Sequence, residues 1–185
     1  MPFAVKSTLD VVFWFTDRAL NDREYIQPQK LHRLMFLAQA YYSVAFPGRK
    51  LMPATFVTDS LGPVEPTVFH TFAYGRPHMV EGNQVSATVT QFLDSIWRRF
   101  GQYSAEQLNK KMADHVPIAE AMAKGLGEEI TLAAMVKYYG VDAAAAKKAG
   151  IAAPTEMVRP RLMRSQDGKA VAVKSWTPKA LGTKP

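Results

Sequence analysis

The chain has no cysteine, which removes disulfides, thiolate nucleophiles and cysteine-ligated zinc from consideration and fits a reducing compartment. It has no uninterrupted apolar run approaching the roughly 18 residues that a membrane span needs. The short run Val11-Val12-Phe13-Trp14-Phe15 is bracketed by Asp10 and Asp17 and lacks the positive leader and small-residue cleavage site of a signal peptide. The expectation is a cytoplasmic protein without a membrane partner. Histidine is scarce: His32, His70, His78 and His115 form neither a His-x-x-x-His nor a His-Glu-x-x-His pair, so helical zinc ligation has no support. No Gly-x-Ser-x-Gly elbow is present. Gly125-Leu126-Gly127 is followed at once by Glu128 and Glu129, whose charges oppose a phosphate at that helix start. The sequence therefore predicts a non-enzyme with no cofactor, no metal and no catalytic residues.

What is present is a 185-residue chain with 48% hydrophobic and 21% charged residues, the composition of a globular protein with a sizeable core. Its net charge of +7 is unevenly spread. Residues 1–140 hold 14 Lys/Arg against 13 Asp/Glu, whereas residues 141–185 hold 9 against 3. A near-neutral body thus carries a basic tail, which suits an acidic partner surface or nucleic acid.

Residues 26–46 organise the body. Pro28 suits a first helical position, and Leu31, Leu34, Met35, Ala38, Tyr41, Tyr42 and Ala45 then recur at spacings of three and four. Phe36 and Leu37 widen the apolar surface past one stripe, which predicts a central helix over 28–46 covered on more than one side. Before it, Ser7 and Asp10 read as a capping box for a helix to about Leu20, with Leu9, Val12, Phe13, Thr16 and Leu20 facing inward. After it, residues 55–59 read as a strand and Gly62-Pro63 as a turn. A short helix is expected from Pro66 to Tyr74, closed by Gly75, and a second strand within 78–85. Further helices are expected from Thr88 or Thr90 to Phe100, from Ser104 (boxed with Gln107) to about Asp114, from Pro117, and from Thr131 to Tyr139. The fold class expected is mainly α with a small β element, a compact multi-helix domain over 1–140.

Residues 141–185 read as a basic extension. Residues 142–150 form a short helix burying little, residues 151–154 a linker, and residues 157–176 a hairpin around Asp167-Gly168. On this reading a chain ending at Gly150 keeps the stability of the body.

Three blocks carry a resemblance. Pro28-Gln29-Lys30-Leu31-His32-Arg33-Leu34, continuing through Phe36, Ala38, Gln39, Tyr41 and Tyr42, resembles the opening signature of the Panacea domain, the family of the SocA antitoxin. Leu61-Gly62-Pro63-Val64-Glu65-Pro66-Thr67-Val68-Phe69 is similar to that family's Tyr-Gly-Pro-Val-x-Pro segment, with Leu61 in place of the aromatic. Residues 100–108, leading to His115 and Pro117, match more loosely. The resemblance implies an antitoxin that binds and neutralises a cognate protein toxin. For the SocA branch it implies an adaptor that delivers the toxin to the ClpXP protease.

Two readings are open for the polar residues of the central helix. Lys30 and Arg33 are solvated while His32 and Gln39 satisfy backbone groups, or all four join Phe36, Tyr41 and Tyr42 in a polar-aromatic groove that receives a partner peptide. In the tail, Arg159, Arg161, Arg164, Lys174 and Trp176 are the candidate partner contacts. The alternative function is a nucleic-acid-binding transcriptional regulator that uses this basic tail, although no recognition helix is evident.

Overall fold

The computed structural model describes residues 1–73 and 85–157 and, beyond them, the backbone of two short strands at 162–164 and 170–172. It is mainly helical, with two small two-stranded antiparallel sheets. Helix α1 (Thr8–Asn21) starts at the capping box expected from Ser7 and Asp10: the Ser7 hydroxyl accepts from Leu9 N, and the Asp10 carboxylate accepts from Ser7 N at 3.0 Å. Its buried face is Val11, Val12, Phe15 and Ala19 together with Phe13, whereas Leu20, expected inside, is 61% exposed. The expected stripe is thus displaced around the helix. Asp22 explains the exit, since its carboxylate accepts from Trp97 Nε1 at 2.8 Å and from Arg18 at 2.6 Å and fixes how the chain leaves α1.

Helix α2 (Pro28–Ala45) is buried from Lys30 to Ser43 without interruption. Burial around the whole circumference requires neighbours on every side, and they come from most of the chain. Against α2 pack α1, the hairpin of β1 (Val57–Asp59) and β2 (Gly62–Val64), α4 (Ala87–Phe100), α5 (Ala105–Met112), α7 (Leu132–Tyr139) and the one-turn α9 (Pro154–Met157). At the heart of the core, Phe36 meets Phe56 edge-on at 5.4 Å and Tyr41 lies 5.0 Å from Tyr139.

The hairpin pairs Val57 with Val64, Thr58 with Pro63 and Asp59 with Gly62. The turn is therefore Ser60-Leu61, and Gly62-Pro63, expected to turn, lies in the second strand. Residues 127–130 cover the other edge of β1: Thr58 N donates to Glu128 O, Gly127 N to Thr58 O and Ile130 N to Phe56 O. That leaves β2 outermost, where a proline costs no ladder bond. Thr58 Oγ1 also donates to Gly125 O at 2.7 Å and accepts from Glu128 N, so the Gly125–Gly127 turn serves as a brace for β1.

Helix α3 (Pro66–Thr71) is capped by the Glu65 carboxylate, which accepts from Val68 N at 2.7 Å. Its expected continuation to Tyr74 and Gly75, and residues 78–84 of the strand expected within 78–85, lie outside the described residues. Helix α4 is capped by Ser86 in place of Thr88 or Thr90, and buries Phe92, Leu93, Ile96 and Trp97 as expected. Helix α5 has the Ser104–Gln107 box. Helix α6 (Val116–Met122) and α7 follow, the latter capped by Thr131.

Past residue 140 the structure departs from the expected extension. Asp142 caps α8 (Ala143–Lys148) and Ala146 is buried. Ile151, Ala152, Ala153 and Met157 are all buried, and the Tyr41 hydroxyl donates to Ala152 O at 2.9 Å. The stretch expected to be a linker is a core strap across α2. Its small, sparse apolar residues show no period, so it is identified as core only by what it covers. Beyond it, β3 (Leu162–Arg164) and β4 (Ala170–Ala172) pair antiparallel, as expected of the hairpin.

Candidate partner-binding surface

The polar residues of α2 are interior struts. Lys30 is 4% exposed. Its ammonium donates to the Glu24 carboxylate and to Gly101 O, and it sits 5.3 Å from the Trp97 ring centre. Gln39 satisfies Met52 in both directions, its Oε1 accepting from Met52 N at 3.1 Å and its Nε2 donating to Met52 O at 3.4 Å. Phe36 is wholly enclosed. Lys30, Phe36 and Gln39 therefore face no partner in this arrangement, and Lys30 is not solvated as one reading had it. A run of helix buried all round leaves its polar members no outlet except pairing inside.

His32 Nδ1 accepts the backbone N–H of Glu65 at 3.2 Å. Burial, with the neighbouring Arg33 charge, lowers the His32 pKa to about 4, against a smaller opposing pull from Asp59. The ring is neutral at pH 7. His115 behaves alike: it pairs with the Tyr139 hydroxyl at 2.7 Å, and burial lowers it to about 4. Burial in turn pushes the Tyr139 hydroxyl well above its usual range. Among the described residues no group of three His, Asp or Glu side chains is placed to hold a metal ion.

Arg33 is 0% exposed. Nε donates to Asn109 Oδ1, and Nη1 donates to Gln29 O at 2.7 Å. Nη2 is buried with no hydrogen-bond partner among the described residues. Burial lowers the Arg33 pKa to about 10, with Asp59 pulling the other way, so the group is a cation at neutral pH. The expectation of a solvated Arg33 is overturned because the β1–β2 hairpin and α5 close over it.

Two grooves flank these struts. The first, about 310 Å³, lies between the end of α1, the 24–28 connection and α3. Its walls include Leu20, Tyr25, Ile26, Leu31, Val68 and Phe72, with His32 at its base. Leu20, Tyr25 and, beside it on α3, Phe69 stand 61%, 78% and 54% exposed. The second, about 230 Å³, runs between the β1–β2 turn and α5–α6, with walls that include Leu61, Gly62, Pro63, Asn109, Ile118 and Met122. Arg159, Arg161, Lys174 and Trp176 lie outside the described residues, as does the side chain of Arg164, which falls in β3.

No protein-family model, no curated protein and no solved structure matches this chain.

The surface residues that sequence reading missed are Tyr25, Asn109 and the exposed Leu20. Tyr25 left a signal, a lone aromatic between the polar residues 21–24 and the helix-starting Pro28. For Leu20 periodicity points inward, and the exposure comes from the displaced stripe of α1. Asn109 left none: its importance comes from Arg33, 76 positions away. Among the described residues no helix is long and apolar enough to cross a membrane.

Proposed function

We propose that this protein is an antitoxin that neutralises a cognate protein toxin in the cytoplasm by direct contact, and that it acts as an adaptor handing that toxin to the ClpXP protease. The resemblance to the Panacea domain supplies the class. The observation that carries the reading is the first groove, to which both segments that bear the resemblance contribute. Pro28, Leu31 and His32 come from the first block, and Val68 comes from the second. The exposed Leu20, Tyr25 and Phe69 around it form the apolar-and-aromatic centre typical of protein contacts. The occupant is an apolar segment of the toxin, whose burial against these side chains contributes about 25 cal/mol per Å² of apolar area before the costs of association.

The test is affinity purification of the full chain from its native cell, followed by growth assays. The expected result is one co-purifying protein that arrests growth when expressed alone and is relieved by the wild-type chain. Leu20→Asp and Tyr25→Asp, both at exposed positions and compatible with folding, lose that relief. A harmless partner overturns the antitoxin reading. Full rescue by both variants overturns the groove as the contact.

A further inference from the structure

The Arg33 guanidinium is a half-filled fork. A guanidinium is planar, and the Nε–H and one N–H of Nη2 lie along the same edge, parallel and spaced to match the two oxygens of a carboxylate. In this protein that edge meets the side chain of Asn109, whose single amide oxygen takes Nε and leaves Nη2 buried and unpartnered among the described residues. Leaving a buried charged donor unmet costs more than leaving a neutral one unmet. A carboxylate in place of the amide oxygen satisfies both donors at once.

Asn109 also lines the second groove, as does Gly62, where an added Cβ would sit 2.9 Å from Nη2. The fork edge thus lies behind a half-buried side chain that a ligand in the groove displaces by a rotation about its own χ angles. Apart from Ser60, the rest of the groove wall is aliphatic or thioether: Leu61, Pro63, Met112, Ala113, Ile118 and Met122. An aliphatic residue that carries its own main-chain carboxylate uses both the wall and the fork.

We propose that the groove between the β1–β2 turn and α5–α6 binds the free C-terminus of a partner polypeptide ending in an aliphatic residue, with its carboxylate displacing the Asn109 amide and pairing with Nε and Nη2 of Arg33. The site is separate from the first groove and is inferred from the guanidinium and the groove wall beside it, so it does not rest on the antitoxin reading.

The test uses the full chain and one probe in two forms, the acetylated peptide Gly-Gly-Ser-Leu as free acid and as C-terminal amide. The free acid is expected to bind saturably, with the Asn109 side-chain amide signals shifting in NMR, and the amide to bind at least tenfold more weakly. Asn109→Asp places a carboxylate on the fork from within. It is expected to raise the melting temperature and to abolish binding of the free acid. Arg33→Met, which replaces the buried charge with an apolar group of similar length, is expected to keep a cooperative melt and lose the peptide. Equal affinity for acid and amide, absence of saturation by the acid across the millimolar range, or undiminished binding to Asn109→Asp each overturns the proposal.

Discussion

The Nδ1 of His32 accepts the backbone N–H of Glu65 at 3.2 Å, while the Glu65 carboxylate accepts from Val68 N. One buried ring thus holds the N-terminus of α3 against the central helix, and it does so only while Nδ1 is unprotonated. A proton on Nδ1 turns an acceptor into a donor facing a donor.

This gives a pH dependence with a definite sign. His32 and His115 both have pKa values lowered to about 4 in the folded protein, against 6.5 ordinarily. Between those values the unfolded chain binds more protons than the folded one, so folding stability falls as pH falls. The contribution is complete above about 6.5 and lost progressively towards 4, by roughly 3 kcal/mol per histidine. Thermal melts from pH 7 to pH 4 are expected to show this slope, and His32→Asn, which keeps an acceptor but no titration, to flatten it. An unchanged slope in both His32→Asn and His115→Asn would refute this origin.

Gly62 is irreplaceable on two counts. Its φ of +114° is outside the range that side-chain-bearing residues readily adopt, and a Cβ there would sit 2.9 Å from Arg33 Nη2. The arginine is locked by Asn109 and Gln29 and has little room to retreat. Gly62→Ala is expected to destabilise by about 2 kcal/mol or more, from backbone strain plus displacement of a buried cation. Chemical denaturation measures it; a midpoint equal to wild type would show that the turn relaxes freely.

Ending the chain at Gly150 removes Ile151, Ala152, Ala153 and Met157 from the core and leaves the Tyr41 hydroxyl without Ala152 O. Loss of two large buried side chains and one buried hydrogen bond amounts to at least about 3 kcal/mol. The truncated chain is therefore expected to melt several degrees lower, about 2–4 °C per kcal/mol for a protein of this size. A melt coincident with the full chain would return residues 151–154 to the status of a linker.

The legibility of this protein follows the range of its interactions. Ser7 with Asp10, Ser104 with Gln107, Pro28 at the start of α2 and Asp142 at the start of α8 were determined by the sequence itself, because a cap and its helix lie within one turn of each other. The apolar excess of α2 likewise announced a helix with neighbours on several sides. What the tertiary structure alone decided is the direction of each polar side chain on that helix. Arg33 meets Asn109 from 76 positions away, Lys30 meets Gly101 from 71, and Tyr41 meets Ala152 from 111. Periodicity says which residues share a face, but a helix enclosed all round has no polar face to assign. Whether a charge on it is solvated, paired or left half-satisfied depends on elements brought over it from the far end of the chain, and that is how Arg33 comes to hold, beside a groove, a donor with no partner among the described residues.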